Sequence, residues 1–186
     1  MVQKRILLAS ASPRRRELLR LITPDFDCAA ADVDETLPQG SSPRDAVLYL
    51  SKIKASAFLP SDKLIIGADT VVAIAGRIIG KPKDEKDAFE ILRSLSGREH
   101  SVFTGVTLLF GGKARSFCEE TKVRFYDLSD AEITEYISTG ECLDKAGAYG
   151  IQGKGSLLVE RIDGDYFNVV GLPVAQLYRE LKLIEE

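Results

Sequence analysis

Apolar residues in this chain fall into short blocks whose spacing switches between unbroken runs, alternation and the spacing of a helix face. Arg5–Ser10 (RILLAS) is an apolar run of strand length and predicts a buried strand. Ser12 follows as an N-cap, and Pro13 takes the first helical position, where its missing N–H costs nothing. Leu18, Leu19 and Ile22 give this helix one apolar stripe. Phe26–Ala31 predicts a second strand, and Asp32–Ser41 a polar loop. Ser42-Pro43 repeats the helix-opening signal, with Asp45 placed as in a capping box. Ala46, Leu50, Ile53, Ala57 and Phe58 keep helical spacing.

Leu64–Ala68 is again unbroken and predicts a buried strand. Val71–Ile74 and Arg77–Ile79, on either side of Ala75-Gly76, predict a hairpin. Asp84–Leu95 predicts a helix with Ala88, Ile91, Leu92 and Leu95 on one face. Ser101–Phe110 and Ala114–Tyr126 flank Gly111-Gly112, a strong hairpin signal. Ser129-Asp130-Ala131-Glu132 is a capping box that opens a helix to Ser138. Leu157–Ile162 and Tyr166–Val170 predict a further strand pair around Asp163-Gly164, and Pro173 opens a last helix to Ile184. The mixture predicts an α/β fold with a mixed sheet flanked by helices, as one domain over residues 1–186.

Composition narrows the chemistry. His100 is the only histidine among 186 residues, which rules out zinc sites built on two or three histidines. Three cysteines, Cys28, Cys118 and Cys142, do not make a disulfide framework. No apolar run approaches the roughly 20 residues of a membrane span. The apolar stretch after Lys4-Arg5 is too short for a secretory signal and runs into Arg14-Arg15-Arg16. The expectation is a cytoplasmic protein with free thiols.

Four segments can carry chemistry. Ser10-Ala11-Ser12-Pro13-Arg14-Arg15 joins a strand end, two hydroxyls, a helix N-terminus and two guanidinium groups. Unpaired N–H groups and arginines suit phosphate oxygens, although a capped helix with solvated arginines has the same pattern. It is not a P-loop, because no lysine has the required glycine spacing. Asp69 lies between two apolar runs, so it either ends a strand or is buried with a partner. There it can hold Mg²⁺, activate water or simply start a turn. Lys81, fixed between Gly80 and Pro82, is a placed cation or an ordinary loop charge; Lys54 and Glu35 are equally open. Lys145–Gly155 contains four glycines with Tyr149 and Gln152, and reads as an ordered loop able to approach a ligand closely. Gln152 offers a donor and an acceptor to a base edge. His100, at a strand start and without a nucleophile elbow elsewhere, reads as structural.

In order along the chain these segments resemble the Maf family of nucleoside triphosphate pyrophosphatases. The match comprises Ser10–Arg15, Glu35, Lys54, Gly67–Val72, Gly80-Lys81-Pro82, Ser96-Gly97 with His100, Thr104-Gly105-Val106 and Lys145–Gly153. Asp144–Gly153 (DKAGAYGIQG) is similar to the branch that acts on dTTP and UTP rather than 7-methyl-GTP. The resemblance implies an elongated, twisted sheet with two lobes around a cleft, as in the inosine triphosphate pyrophosphatase group. It implies hydrolysis to the monophosphate and pyrophosphate with a divalent cation, Mg²⁺ or Mn²⁺. It makes Asp69 the proton acceptor and ties Arg14, Thr70 and Gln152 to substrate choice. Ser10, Arg15, Glu35, Lys54 and Lys81 match the other site positions, with Glu35 and Asp69 as oxygen ligands for the metal. A homodimer is implied by family alone. The family is also described as septum-formation inhibitors, so a nucleotide-binding regulator of cell division without turnover is the alternative.

The net charge of −3 hides a split. Residues 1–20 carry six basic groups and one acid, while the rest of the chain sums to −8. A cationic strand–helix junction on an acidic body suits one small polyphosphate. It suits a nucleic acid poorly, because that needs an extended basic surface with aromatic platforms.

Overall fold

The computed structural model describes residues 5–185, so Lys4 of the basic segment lies outside it. Its strands are β1 (Ile6–Ala9), β2 (Asp27–Ala29), β3 (Leu64–Ile74), β4 (Arg77–Ile79), β5 (Glu99–Phe110), β6 (Lys113–Phe125) and β7 (Val159–Asp163). They form one mixed sheet in the order β2-β1-β3-β5-β6-β7, with β4 also on β3. β1 runs parallel to β2 and β3; every other pairing is antiparallel. The helices are α1 (Pro13–Leu19), α2 (Pro43–Ser56), α3 (Glu85–Leu95), α4 (Asp130–Ser138), α5 (Tyr166–Val170) and α6 (Val174–Glu185). Two 3₁₀ turns, Ala146–Ala148 and Gly153–Leu158, precede β7.

The capping signals hold with one difference. Ser12 and Ser42 accept the N–H of Arg15 and Asp45, and Ser129 forms a full capping box with Glu132. At α2 the Asp45 carboxylate instead takes the Ser42 hydroxyl at 2.6 Å. Two strand expectations fail. β3 does not break at Asp69-Thr70 but runs through them as eleven continuous residues. Tyr166–Val170 is a helix and not the partner of β7. Asp165 caps it by accepting the Phe167 N–H at 2.8 Å, and Gly171, at φ 127°, ends it. A run of five residues is too short for its spacing to separate helix from strand.

The alternation along β3 sorts the core into two layers. Leu64, Ile66, Ala68 and Val72 join the large cluster under α1, α3, α4 and α6. Ile65 and Val71 face the other way, into two small clusters with Ala55 and Val47 of α2. Two glycines let α2 settle on this second face. A Cβ on Gly67 would stand 2.2 Å from the Ser51 carbonyl oxygen, and one on Gly105 2.4 Å from the Val47 carbonyl. The Ser51 and Thr107 hydroxyls then meet at 2.9 Å across the same contact.

His100 sits in β5 and is buried, with Nε2 2.8 Å from the Tyr149 hydroxyl. Phe125 packs edge-on against both rings. Burial pushes the imidazole from its ordinary 6.5 down to about 4. The unfolded chain therefore binds a proton that the folded chain refuses. The corresponding stability is complete above pH 6.5 and is lost as pH falls toward 4. Between pH 7 and pH 5 this amounts to about 2 kcal/mol. Urea unfolding at the two pH values is expected to show that loss in the wild type and not in His100→Gln. Equal losses in both proteins would contradict it.

Candidate active site

The site grows from a gap in the sheet edge. β1 pairs with β3 only as far as Ala9 opposite Gly67, and β4 ends at Ile79 opposite Val72. Between those points Ala68–Val71 pair with β5 alone. The chain leaves β1 at this gap and turns through Ser10–Ser12 into α1. A cavity of about 600 Å³ opens there, walled by Arg14, Arg15, Glu35, Lys54, Asp69, Thr70, Lys81 and Gln152 among others. Eight of the nine residues expected at the site thus share one cavity. Ser10 stands behind the wall, where its hydroxyl accepts the Ser12 N–H at 3.1 Å and Arg15 Nη1 at 3.5 Å.

Asp69 points toward α2 and is only 9% exposed. Its partner is Lys54, whose Nζ lies 2.5 Å from Oδ1. The same ammonium reaches Glu35 Oε1 at 3.0 Å. One lysine on α2 therefore balances a buried carboxylate and the exposed carboxylate of the polar loop. The burial of Asp69 within a strand is tolerable because of that cation, since an unpaired charge there would cost several kcal/mol. Asp69 Oδ2 is left free to meet water or a cation.

The next residue faces the opposite side. Arg15 reaches across the gap and donates from Nη2 to Thr70 Oγ1 at 3.0 Å and from Nε to the Gly171 carbonyl at 2.9 Å. Burial lowers the Arg15 pKa and Arg14 lowers it further, while Asp69 and Glu35 oppose the shift. A guanidinium keeps its charge at neutral pH under such shifts. Thr70 also meets Thr104 Oγ1 at 2.9 Å, and Thr104 in turn bonds the Asn168 carbonyl at 3.0 Å.

The third wall comes from the glycine-rich loop. The Gly147 N–H donates to the Gly80 carbonyl at 3.1 Å, which joins this loop to the segment carrying Lys81. Lys81 is exposed and makes no hydrogen bond or ion pair with the described residues, so its charge is available to a ligand. Gln152 is likewise exposed on the wall. Gly155 packs against its own loop, where a Cβ would stand 2.0 Å from the Gly150 carbonyl oxygen. Asp144 sits between Lys145 at 2.6 Å and Arg14 at 3.6 Å, tying the loop to α1. Burial alone would raise the Asp144 pKa, but these two cations hold it below the ordinary value.

The family model described as "Maf-like protein" matches residues 5–184. The chain belongs to the Maf family. A protein of Bacillus cereus (strain G9842) named "dTTP/UTP pyrophosphatase" is 50% identical over 181 residues, covering 96% of this chain and 95% of the relative. One of the same name from Bacillus cytotoxicus matches to the same extent. The solved structure of a HAM1 protein from Coxiella burnetii superposes with a TM-score of 0.53 over 98% of both chains at 15% identity, which is a likeness of fold.

Family motifs thereby acquire physical reasons. Gly67 and Gly105 seat the helix that carries Lys54, and Gly147 pins Lys81 to the loop. Sequence reasoning did not single out Asn168, Gly171 or a hydrogen-bonding part for Thr104. Thr104 did leave a signal, as a hydroxyl on the same strand face as Val102 and Val106, both in the large core cluster. Asn168 and Gly171 act through their backbone carbonyls, for which the sequence holds no marker.

Proposed function

We propose that this Maf-family protein is a nucleoside triphosphate pyrophosphatase that hydrolyses dTTP and UTP, with modified pyrimidine triphosphates as further substrates, to the monophosphate and pyrophosphate. The observation that carries the reading is Asp69, a carboxylate held by Lys54 at the open edge of β3 inside a cavity with further cations. The 50% identity to proteins named dTTP/UTP pyrophosphatase supports the substrate class.

The reaction is attack of water on the α-phosphorus with pyrophosphate leaving. Asp69 receives the proton of the attacking water at Oδ2, while Lys54 holds Oδ1 and fixes the carboxylate in place. Lys81 and Arg14 offset charge on the phosphate oxygens. Arg15, already committed to Thr70 and Gly171, keeps the gap in shape and adds a fixed positive field. Among the described residues no group of three or more His, Cys, Asp or Glu forms a metal cage. Mg²⁺ or Mn²⁺ still fits, because hard cations at triphosphates take one or two carboxylates and complete their shell with phosphate oxygens and water. Glu35 and Asp69 would be the protein ligands, and the cation would neutralise phosphate charge.

The reading places the protein in the cytoplasm with its nucleotide substrates, as a homodimer that light scattering tests. The activity is tested by a panel of ribo- and deoxynucleoside triphosphates with Mg²⁺ or Mn²⁺. Pyrophosphate release from dTTP and UTP is expected. Activity on 7-methyl-GTP alone would overturn the substrate class, and release of orthophosphate would overturn the reaction. Tight nucleotide binding with no product would mark a regulator.

A further inference from the structure

The glycine-rich loop is tied to the core through a phenol. Tyr149 is buried and belongs to the cavity wall. Its hydroxyl lies 2.8 Å from Nε2 of His100, 49 residues earlier on β5, and that is its one hydrogen-bond partner among the described residues. The backbone just before it is left-handed twice, at Gly147 (φ 71°) and Ala148 (φ 57°). An alanine in that conformation is strained and persists only where its surroundings hold it. The Gly80 carbonyl holds the Gly147 N–H, and the Tyr136 hydroxyl accepts the Gly150 N–H at 3.2 Å. The Tyr149 side chain is the fastening between those two points. Counting protons shows how it fastens. A neutral imidazole has one N–H and one bare nitrogen. His100 Nδ1 is buried and has no hydrogen-bond partner among the described residues. With the proton on Nε2, both the phenol proton and the Nδ1 lone pair would stay unpaired. With the proton on Nδ1, Tyr149 donates to Nε2, and the Nδ1 N–H alone is left over. The second arrangement orphans fewer buried polar groups and is the favoured one.

We propose that His100 is a positioning residue for the cavity: with its proton on Nδ1 it accepts the Tyr149 hydroxyl, and so holds the left-handed turn from which Gly150–Gly153 line the wall. His100 acts through Tyr149 and not on a substrate. Asp69, Lys54 and Glu35 stand on β3, on α2 and in the polar loop, so they do not depend on this turn. Releasing the turn therefore weakens substrate binding and spares the chemical step. The kinetic part of this inference rests on the pyrophosphatase reading; the position of the proton does not.

Because His100 is the only histidine, the ¹⁵N imidazole spectrum of the untagged protein contains a single pair of ring nitrogens. At pH 7 a protonated Nδ1 and a bare Nε2 are expected. A proton on Nε2 overturns the inference, needs no variant to fold and leaves the pyrophosphatase reading standing. Tyr149→Phe removes one oxygen and keeps the ring packed on Phe125 and His100. It is expected to raise KM for UTP about fivefold to tenfold with kcat within about twofold. His100→Leu offers no acceptor and should raise KM alike, and the double variant should add nothing further. His100→Gln, whose amide oxygen stands near the Nε2 position, should keep KM close to wild type. A general loosening of the fold would make the two losses multiply, and that result, or an unchanged KM in both single variants, overturns the inference. A wild type that releases no pyrophosphate from UTP defeats the pyrophosphatase reading instead. The loop is then followed by amide exchange at Gly147 and Gly150, expected to quicken about tenfold in Tyr149→Phe; unchanged exchange overturns the inference without any appeal to activity.

Discussion

Asp69→Asn is expected to lower kcat on UTP by about a thousandfold or more, within the range that a positioned general base supplies. The change removes the proposed proton acceptor and preserves size. It also spares the fold, because Lys54 retains Glu35 at 3.0 Å and no buried charge is orphaned. The melting temperature should stay within about 3 °C of wild type, the shift that roughly 1 kcal/mol produces in a chain of this size. KM for UTP should change far less than kcat, since the lost interaction belongs to the step in which the water is deprotonated. Steady-state kinetics with a thermal melt decide the matter. A variant with wild-type kcat would remove Asp69 from the chemistry. One that fails to fold would mean that the Lys54 pair is mainly structural.

Gly67→Ala is expected to destabilise the protein by about 3 kcal/mol and to abolish activity even where it remains folded. Gly67 has no unusual backbone angle; its constraint is approach distance. The added methyl would lie 2.2 Å from the Ser51 carbonyl oxygen and 2.8 Å from the Ala55 nitrogen. Both are backbone atoms of α2, so no rotamer change relieves the contact and the helix must lift. Lys54 lies on that segment, and lifting it draws the ammonium away from Asp69. Gly105→Ala meets the backbone of Val47 and Leu48 in the same helix and should behave alike. Thermal unfolding is expected to shift by about 10 °C. A Gly67→Ala protein that melts with wild type and keeps its turnover would show that α2 is not seated as described.

Much of this was legible in the chain because local chemistry and tertiary outcome agreed. Ser12-Pro13, Ser42-Pro43 and Ser129–Glu132 each opened a helix, and Gly111-Gly112 turned the hairpin of β5 and β6. The cationic segment 10–15 and the acid at 69 did meet at one cavity. What failed depended on partners far along the chain. Asp69-Thr70 looks like a break in a strand. It is not one, because Lys54 balances the carboxylate and Thr104 takes the hydroxyl. Tyr166–Val170 has the composition of a strand and becomes a helix through Asp165, Gly171 and the burial of Asn168. That difference matters, because the carbonyls at the end of this helix hold Arg15 and Thr104.

In the proposed reaction Asp69 delivers water to the α-phosphorus of a pyrimidine nucleoside triphosphate. Hydrolysis of UTP in ¹⁸O-labelled water, with products separated by mass, tests it most directly. One labelled oxygen is expected in UMP and none in pyrophosphate. Label in pyrophosphate, or in orthophosphate with UDP as co-product, would contradict it.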